Sequence, residues 1–159
     1  MSARRVLGID PGLGRMGWAV VAREGSAVTP VAFGLIETKP GHIGSRLSQI
    51  GEEVAAVCQE HKPTAAALER LFFTKNQTTG LDVAKAAGVA LSKIYEAGIE
   101  AVEMTPSQVK QAVTGNGRAT KEQVAFMVTR LLSLAQPPKP DDVADALAVA
   151  LAEALYQRR

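Results

Sequence analysis

Val6-Leu7-Gly8-Ile9 is a short, wholly apolar run that ends on one acid, Asp10, followed at once by Pro11-Gly12. Val, Leu and Ile favour strands, and a proline just beyond cannot donate to a ladder, so the strand stops at the acid. A strand without polar alternation reads as buried on both faces, which demands a layer on either side of its sheet. Asp10 is then left at the edge of a core. A carboxylate there is costly unless a cation or hydrogen-bond donors compensate it. The alternative is an aspartate that merely accepts backbone N–H groups from the turn behind it.

At 159 residues the chain fits one domain, residues 1–159, with a real core and no room for a second. Only 4% of residues are aromatic against 47% hydrophobic, so Ala, Val and Leu must fill that core. This suits helices packed on a sheet better than a β-sandwich. A net charge of +2 permits a nucleic-acid partner without demanding one. Cys58 is the single cysteine, which excludes a disulfide or a zinc knuckle within one chain. The apolar run after Arg4-Arg5 is too short for a signal peptide, and Asp145 and Glu153 interrupt the longest apolar segment. The chain is expected to be soluble and cytoplasmic, with no membrane contact.

Strands are expected at Gly17 to Ala22 and Val28 to Thr38, which with the first make an antiparallel meander. An amphipathic helix follows over about Ser45 to His61, with Leu47, Ile50, Val54, Val57 and Cys58 on one face. Thr64 to Leu71 reads as a fourth strand from its context, since its alanines suit a helix equally. A loop at Phe72 to Asn76 leads into a helix of small residues ending near Tyr95, and Glu100 to Met104 forms a fifth strand. Thr105-Pro106 reads as an N-cap with proline at the first helical position of a helix to Val113. Two further helices are expected, over about Lys121 to Leu134 and from Asp141 or Asp142 to about Tyr156. The class is α/β, a five-stranded mixed sheet flanked by helices on both faces.

Three acidic sites lie inside apolar stretches: Asp10, Glu69 after Ala65 to Leu68, and Asp145 within Val143 to Leu147. Asp142 and Asp145 are three apart, so both project from one side of the last helix near its start. Like charges at that spacing repel, and the helix dipole offsets this only in part. Two strand acids and two helix acids, if they converge, make a cage of hard oxygen ligands. Magnesium suits such ligands together with substrate phosphates, and paired ions activate water and stabilise a leaving oxygen. Separate caps or satisfied turn acids are the bland alternative. Lys75, Lys110, Arg118 and Lys121 lie in loops and helices between the acids, where they can neutralise phosphates. Phe72-Phe73, beside Lys75 and Asn76, can stack on bases or wedge a junction open; core packing is the competing role.

Gly12-Leu13-Gly14-Arg15-Met16-Gly17 matches G-x-G-x-x-G, but a strand sequence follows where a dinucleotide fingerprint needs a helix. It also resembles the phosphate loop of actin-like ATPases, which close two such domains over a nucleotide, whereas this chain holds one.

Taken together, Gly8 to Gly12, Leu68-Glu69, Lys75-Asn76, Gln108-Val109-Lys110-Gln111, Lys121 and Asp142 to Leu147 resemble the RuvC family of Holliday-junction endonucleases, within the ribonuclease H-like fold. The resemblance runs nearly end to end. It implies that Asp10, Glu69, Asp142 and Asp145 are catalytic acids binding Mg2+, or Mn2+, as two ions per site. It also implies that Phe72 stacks at the junction centre and that Lys110 and Lys121 lie near the scissile phosphate. Asp141 stands beside Asp142 and either can in principle reach the metal; alignment favours Asp142. The family further implies a homodimer making two symmetric nicks in a four-way DNA junction, with the RuvA and RuvB branch-migration proteins as partners. The alanine-rich helix after Asn76 matches the dimer-contact region, with Ala84, Ala87, Gly88 and Leu91 on one side. The rival functions are a ribonuclease H-like nuclease on another substrate, such as an RNA–DNA hybrid, and a junction-binding module without catalysis.

Overall fold

The structure, a computed structural model, describes residues 3–70 and 77–156. Five strands form one mixed sheet in the order β3-β2-β1-β4-β5. They are β1 (Arg4–Asp10), β2 (Arg15–Glu24), β3 (Ala27–Glu37), β4 (Ala65–Glu69) and β5 (Ala101–Met104). The first three pair antiparallel as the expected meander, while β4 runs parallel to β1 and β5 parallel to β4. Parallel neighbours need long crossovers, and two helices supply them: α1 (Ile43–His61) leads into β4, and α2 (Gln77–Glu96) into β5. After β5 come α3 (Pro106–Thr114), α4 (Lys121–Leu131) and α5 (Asp141–Leu155).

The alternation of side chains along a strand sorts the core into two layers. Leu7 and Ile9 of β1 join Ala66 and Leu68 of β4 against Ile50 and Val54 of α1 and Ala86, Ala90 and Ile94 of α2. Val6 and Ala67 face the other way, into a cluster with Val109 of α3, Val128 of α4 and most of α5. Helices therefore cover both faces, as the unbroken apolar run of β1 requires. The same alternation carries one step further at each strand end. Asp10 and Glu69, next after Ile9 and Leu68, fall on the α5 side.

Ten of the fifteen residues of α5 are buried, and half of those are alanine. Small side chains let this helix press onto β1 and β2, and two glycines complete the fit. A Cβ at Gly8 would collide with the Ala146 carbonyl oxygen and the Ala150 amide nitrogen. A Cβ at Gly17 would strike the carbonyl of Asp142. Fully buried Leu147 and Leu151 anchor the contact, each contributing about 1.5–3 kcal/mol through area removed from water.

Helix ends differ from expectation in two places. The first helix starts earlier, at Ile43, because His42 caps it: its Nδ1 accepts from the Gly44 amide at 3.1 Å. The fourth stops earlier, at Leu131, because Ser133 takes a left-handed φ of 52° and the Leu134 amide turns back to the Thr129 carbonyl. Thr120 caps that helix in a reciprocal box with Gln123, as Thr105 does with Gln108 at α3. The glycine run from Gly12 to Gly17 leads into a strand, β2 beginning inside it at Arg15, so no helix opens there for a dinucleotide. Among the described residues, no helix is long and apolar enough to cross a membrane.

Since Gly8 meets helix backbone rather than a flexible side chain, Gly8→Ala should lower stability by about 1–3 kcal/mol, the usual cost of overpacking. For a chain of this size that is a fall of about 3–10 °C in melting temperature. A calorimetric scan showing no loss would mean that α5 can retreat freely from the sheet.

Candidate active site

The end of the sheet where β1 and β4 finish gathers the acids. Ile9 pairs with Leu68, so Asp10 and Glu69 emerge next to each other from adjacent parallel strands, on the same face. Asp10 also pairs across to Gly17, over which the Asp142 carbonyl sits, so the first turn of α5 lies above this strand end. Asp145 follows one turn along the same side of the helix.

Electrostatics tie the four acids together. Burial first, and then the charges of Asp145, Glu69 and Asp142, push the Asp10 carboxyl up to about 8, against the lowering effect of Lys121. Glu69 is raised by burial and by Asp145, with Lys121 and Lys110 opposing. Asp145 is raised by burial, with Lys121 pulling it back and Asp141 and Asp142 pushing it up. Asp141 and Asp142 now separate. Asp142 has a side chain only 30% exposed and acts on Asp10, whereas the Asp141 side chain is 87% exposed and lies on the outer flank.

Two cations stand at the rim. Arg15 Nε is 3.2 Å from Asp142 Oδ2, and Lys121 Nζ is 3.8 Å from Asp145 and 4.0 Å from Asp141. Lys121 is the first residue of α4, where the helix dipole disfavours a positive charge, so the nearby acids outweigh it. A cavity of about 290 Å³ opens between Glu69, Asp145, Lys110 and Lys121, floored by Val109, Val124 and Ala148. Lys110 reaches it from α3. A larger groove, about 830 Å³, runs along β5, α3 and the end of α5, but its buried acid, Glu153, is paired with Arg4 and none of the four acids lines it. The smaller cavity is the one lined by candidate acids, Glu69 and Asp145.

The donor chemistry fits a hard divalent cation. All four candidates are carboxylates, Asp10, Glu69 and Asp145 are each raised in part by neighbouring acids, and the opposing lysines only partly offset this. Among the described residues no three acidic, histidine or cysteine side chains stand close enough together to form a ready-made cage for an ion. Neither histidine joins them: His42 caps α1, and His61 stacks on Trp18 with ring centroids 5.6 Å apart.

Of the other expected residues, Arg118 lies exposed in the loop before α4, outside the cavity lining, its amide bonded to Asn116. Phe72, Phe73, Lys75 and Asn76 lie outside the described residues. Arg15 was not anticipated. Its partner is brought to it by strand register, and no local pattern around the glycine run signals that.

A carboxyl whose folded pKa is raised contributes stability that is present below its unfolded value, 3.8, and lost as the pH rises through about 8. Without divalent cations the protein should therefore melt at progressively lower temperature across that window. Asp10→Asn should flatten the dependence and melt higher than wild type at its alkaline end, by about 2–4 °C for each kcal/mol of repulsion relieved. An equally steep profile in the variant would refute the crowding of charge around Asp10.

Comparison with known proteins gives one answer. A family model described as "Crossover junction endodeoxyribonuclease RuvC" matches residues 6–153. The protein of that name from Rubrobacter xylanophilus is 47% identical over 154 residues, covering 96% of this chain and 86% of its relative. The one from Brevibacillus brevis is 46% identical, covering 96% and 93%. Thermus thermophilus RuvC in complex with Holliday junction substrate superposes with a TM-score of 0.92 at 37% identity, covering 96% of this chain and 94% of that one. This chain, with its mixed five-stranded sheet of the ribonuclease H-like type, belongs to the RuvC family of crossover junction endodeoxyribonucleases.

Proposed function

We propose that this chain, as a single nuclease domain, resolves four-way DNA junctions by paired symmetric nicks in strands of like polarity, with Asp10, Glu69, Asp142 and Asp145 holding the divalent cation. The observation that carries this reading is the gathering of four carboxylates at one sheet end, three of them raised by burial and by their acidic neighbours, beside a lysine-lined cavity. The substrate class comes from the Thermus thermophilus relative, which was solved with a Holliday junction. Mg2+ is the proposed ion, with Mn2+ able to replace it and two ions per site. Bound there, it supplies Lewis acidity for water attack on the phosphate and for departure of the leaving oxygen.

The remaining work falls to side chains. Lys110 and Lys121 neutralise the phosphate entering the cavity, and Lys121 keeps the Asp145 side of the cluster from repelling it. Arg118 and Lys75 contact the backbone further along the DNA, with Asn76 beside them. Phe72 and Phe73 are assigned to stacking at the crossover. The branch-migration proteins RuvA and RuvB are the proposed cytoplasmic partners.

A junction has two-fold symmetry, so an isologous homodimer places one active site on each strand to be cut. The contact surface of α2 needs a correction from sequence reasoning. Ala87 is only 8% exposed and packs in the chain's own core with Ala86 and Ala90, so a charge there would unfold the monomer rather than split a dimer. The outward stripe is Leu81, Lys85, Gly88, Ser92 and Tyr95, spaced three and four apart. Leu81 and Tyr95 are 54% and 69% exposed, and nothing lies within 4 Å of a Cβ built at Gly88, so a second helix can approach closely. We assign the dimer contact to this stripe.

Purified protein should nick a synthetic four-way junction with Mg2+ and not with chelator, and leave an RNA–DNA hybrid intact. Asp10→Asn should bind the junction within about threefold of wild type yet cut about a hundredfold slower or less, the loss typical of removing one electrostatic element of a transition state. Near-normal nicking by the variant would remove Asp10 from the chemistry, and cleavage of the hybrid instead would favour the other ribonuclease H-like reading.

For the dimer, Leu81→Glu should fold as wild type but run as a monomer in light scattering. On a cruciform plasmid it should accumulate nicked circle where wild type gives linear product. A dimeric variant with paired cutting would move the contact elsewhere.

A further inference from the structure

Arg15 opens β2 immediately after the turn that follows Asp10, and its guanidinium Nε lies 3.2 Å from Asp142 Oδ2. The backbone enforces this meeting. Arg15 and Gly17 share one face of β2, and the Asp142 carbonyl rests on Gly17, so the start of α5 cannot drift from the arginine without opening the sheet–helix contact. The N-cap of α5, Pro140, makes no side-chain cap bond. Among the described residues, Arg15 is the cation in contact with the Asp142 carboxylate. Lys121 serves the opposite flank, reaching Asp145 and Asp141. Lys121 also lines the cavity, whereas Arg15 lies outside that lining and its side chain is 51% exposed. The cluster thus has Lys110 and Lys121 facing the cavity and Arg15 on the far side of Asp142.

We propose that Arg15 is a positioning residue that holds the Asp142 carboxylate over Asp10 while no cation is bound, and yields that carboxylate when a divalent cation arrives. This rests on the reading of the four acids as the cation site. A guanidinium and a metal ion cannot both take full advantage of one carboxylate oxygen, and two positive groups at that separation repel. Arg15 thereby stabilises the cation-free protein and sets the cation affinity below what the acids alone would give. Because the arginine is half exposed, salt screens its influence.

The test is calorimetric titration of Mn2+ into the full chain without DNA, comparing wild type with R15Q and R15K, with circular dichroism confirming that each is folded. R15Q should bind Mn2+ about three- to tenfold tighter at low salt, as expected for loss of one partly solvated repulsive charge. The gain should shrink as salt is added, and R15K should stay near wild type. In an Asp142→Asn background, R15Q should have little further effect, since the partner is gone. Equal affinity in R15Q and wild type would reduce Arg15 to an ordinary surface charge. Weaker binding in R15Q would show that Arg15 prepares Asp142 for the ion instead of competing for it, which also overturns the proposal. Absence of Mn2+ binding by wild type would strike the cation-site reading itself, and the two failures are told apart by that one titration.

Discussion

The close seating of α5 on the backbones of β1 and β2 is the contact on which the rest depends. Helix axes usually stand off a sheet by the length of intervening side chains. Here the intervening residues are alanines on the helix and glycines at positions 8 and 17 on the strands, where any Cβ would overlap helix backbone. That proximity brings Asp142 and Asp145, which lie far along the chain, over the ends of β1 and β4. Strand alternation does the other half, since Asp10 and Glu69 follow Ile9 and Leu68 and must face α5. No loop needs to be specified accurately for the four carboxylates to meet; rigid elements carry all of them.

Such an arrangement works against folding. Asp10, Glu69 and Asp145 are partly removed from water and are raised further by neighbouring acids, so the apolar contacts of α5 must outweigh this repulsion. Arg15 and Lys121 relieve part of it from the two flanks, both from exposed positions where their own desolvation is small. What they leave is the inward pair, Asp10 and Glu69, without, among the described residues, an ion-pair contact of the kind Asp142 and Asp145 have. A site built this way spends stability on preorganised charge, the usual compromise where function requires groups that the fold alone would not choose.

Much of this was legible in the chain. The sheet's composition, its burial on both faces, and the singling out of Asp10, Glu69 and Asp145 follow from apolar runs interrupted by lone acids, with Asp142 added by its spacing from Asp145 and by the family resemblance. The choice between Asp141 and Asp142 did not follow from the residues, because both sit in the first helical turn and only the rotation of α5 against β1 separates them. Arg15 escaped for a similar reason: its importance lies in a partner supplied by register, and its local context advertised glycines. The outward side of α2 was misjudged because a helix rich in small residues has no strong apolar stripe to orient it. Ala86, Ala87 and Ala90 are inside and Gly88 outside, a distinction decided by α1 packing on one side. The early end of α4 likewise depends on a left-handed Ser133, a conformation its residue type does not announce.

The unequal placement of the two rim cations gives the site a direction. Lys121 begins α4 with the dipole against it, which is tolerable because it sits between Asp145 and the cavity where a phosphate must enter. Arg15 stands behind Asp142, outside that cavity, joined to the turn after Asp10. Lys110 and Lys121 line the cavity beside Glu69 and Asp145, so a negatively charged backbone there would meet opposing charge along with the carboxylates. Four like charges at one sheet end would otherwise repel the very substrate they are assigned to cut. Lysines on separate helices, each fixed by a threonine–glutamine capping box at Thr105 or Thr120, hold the opposing charge at the entrance without letting it collapse onto all four acids.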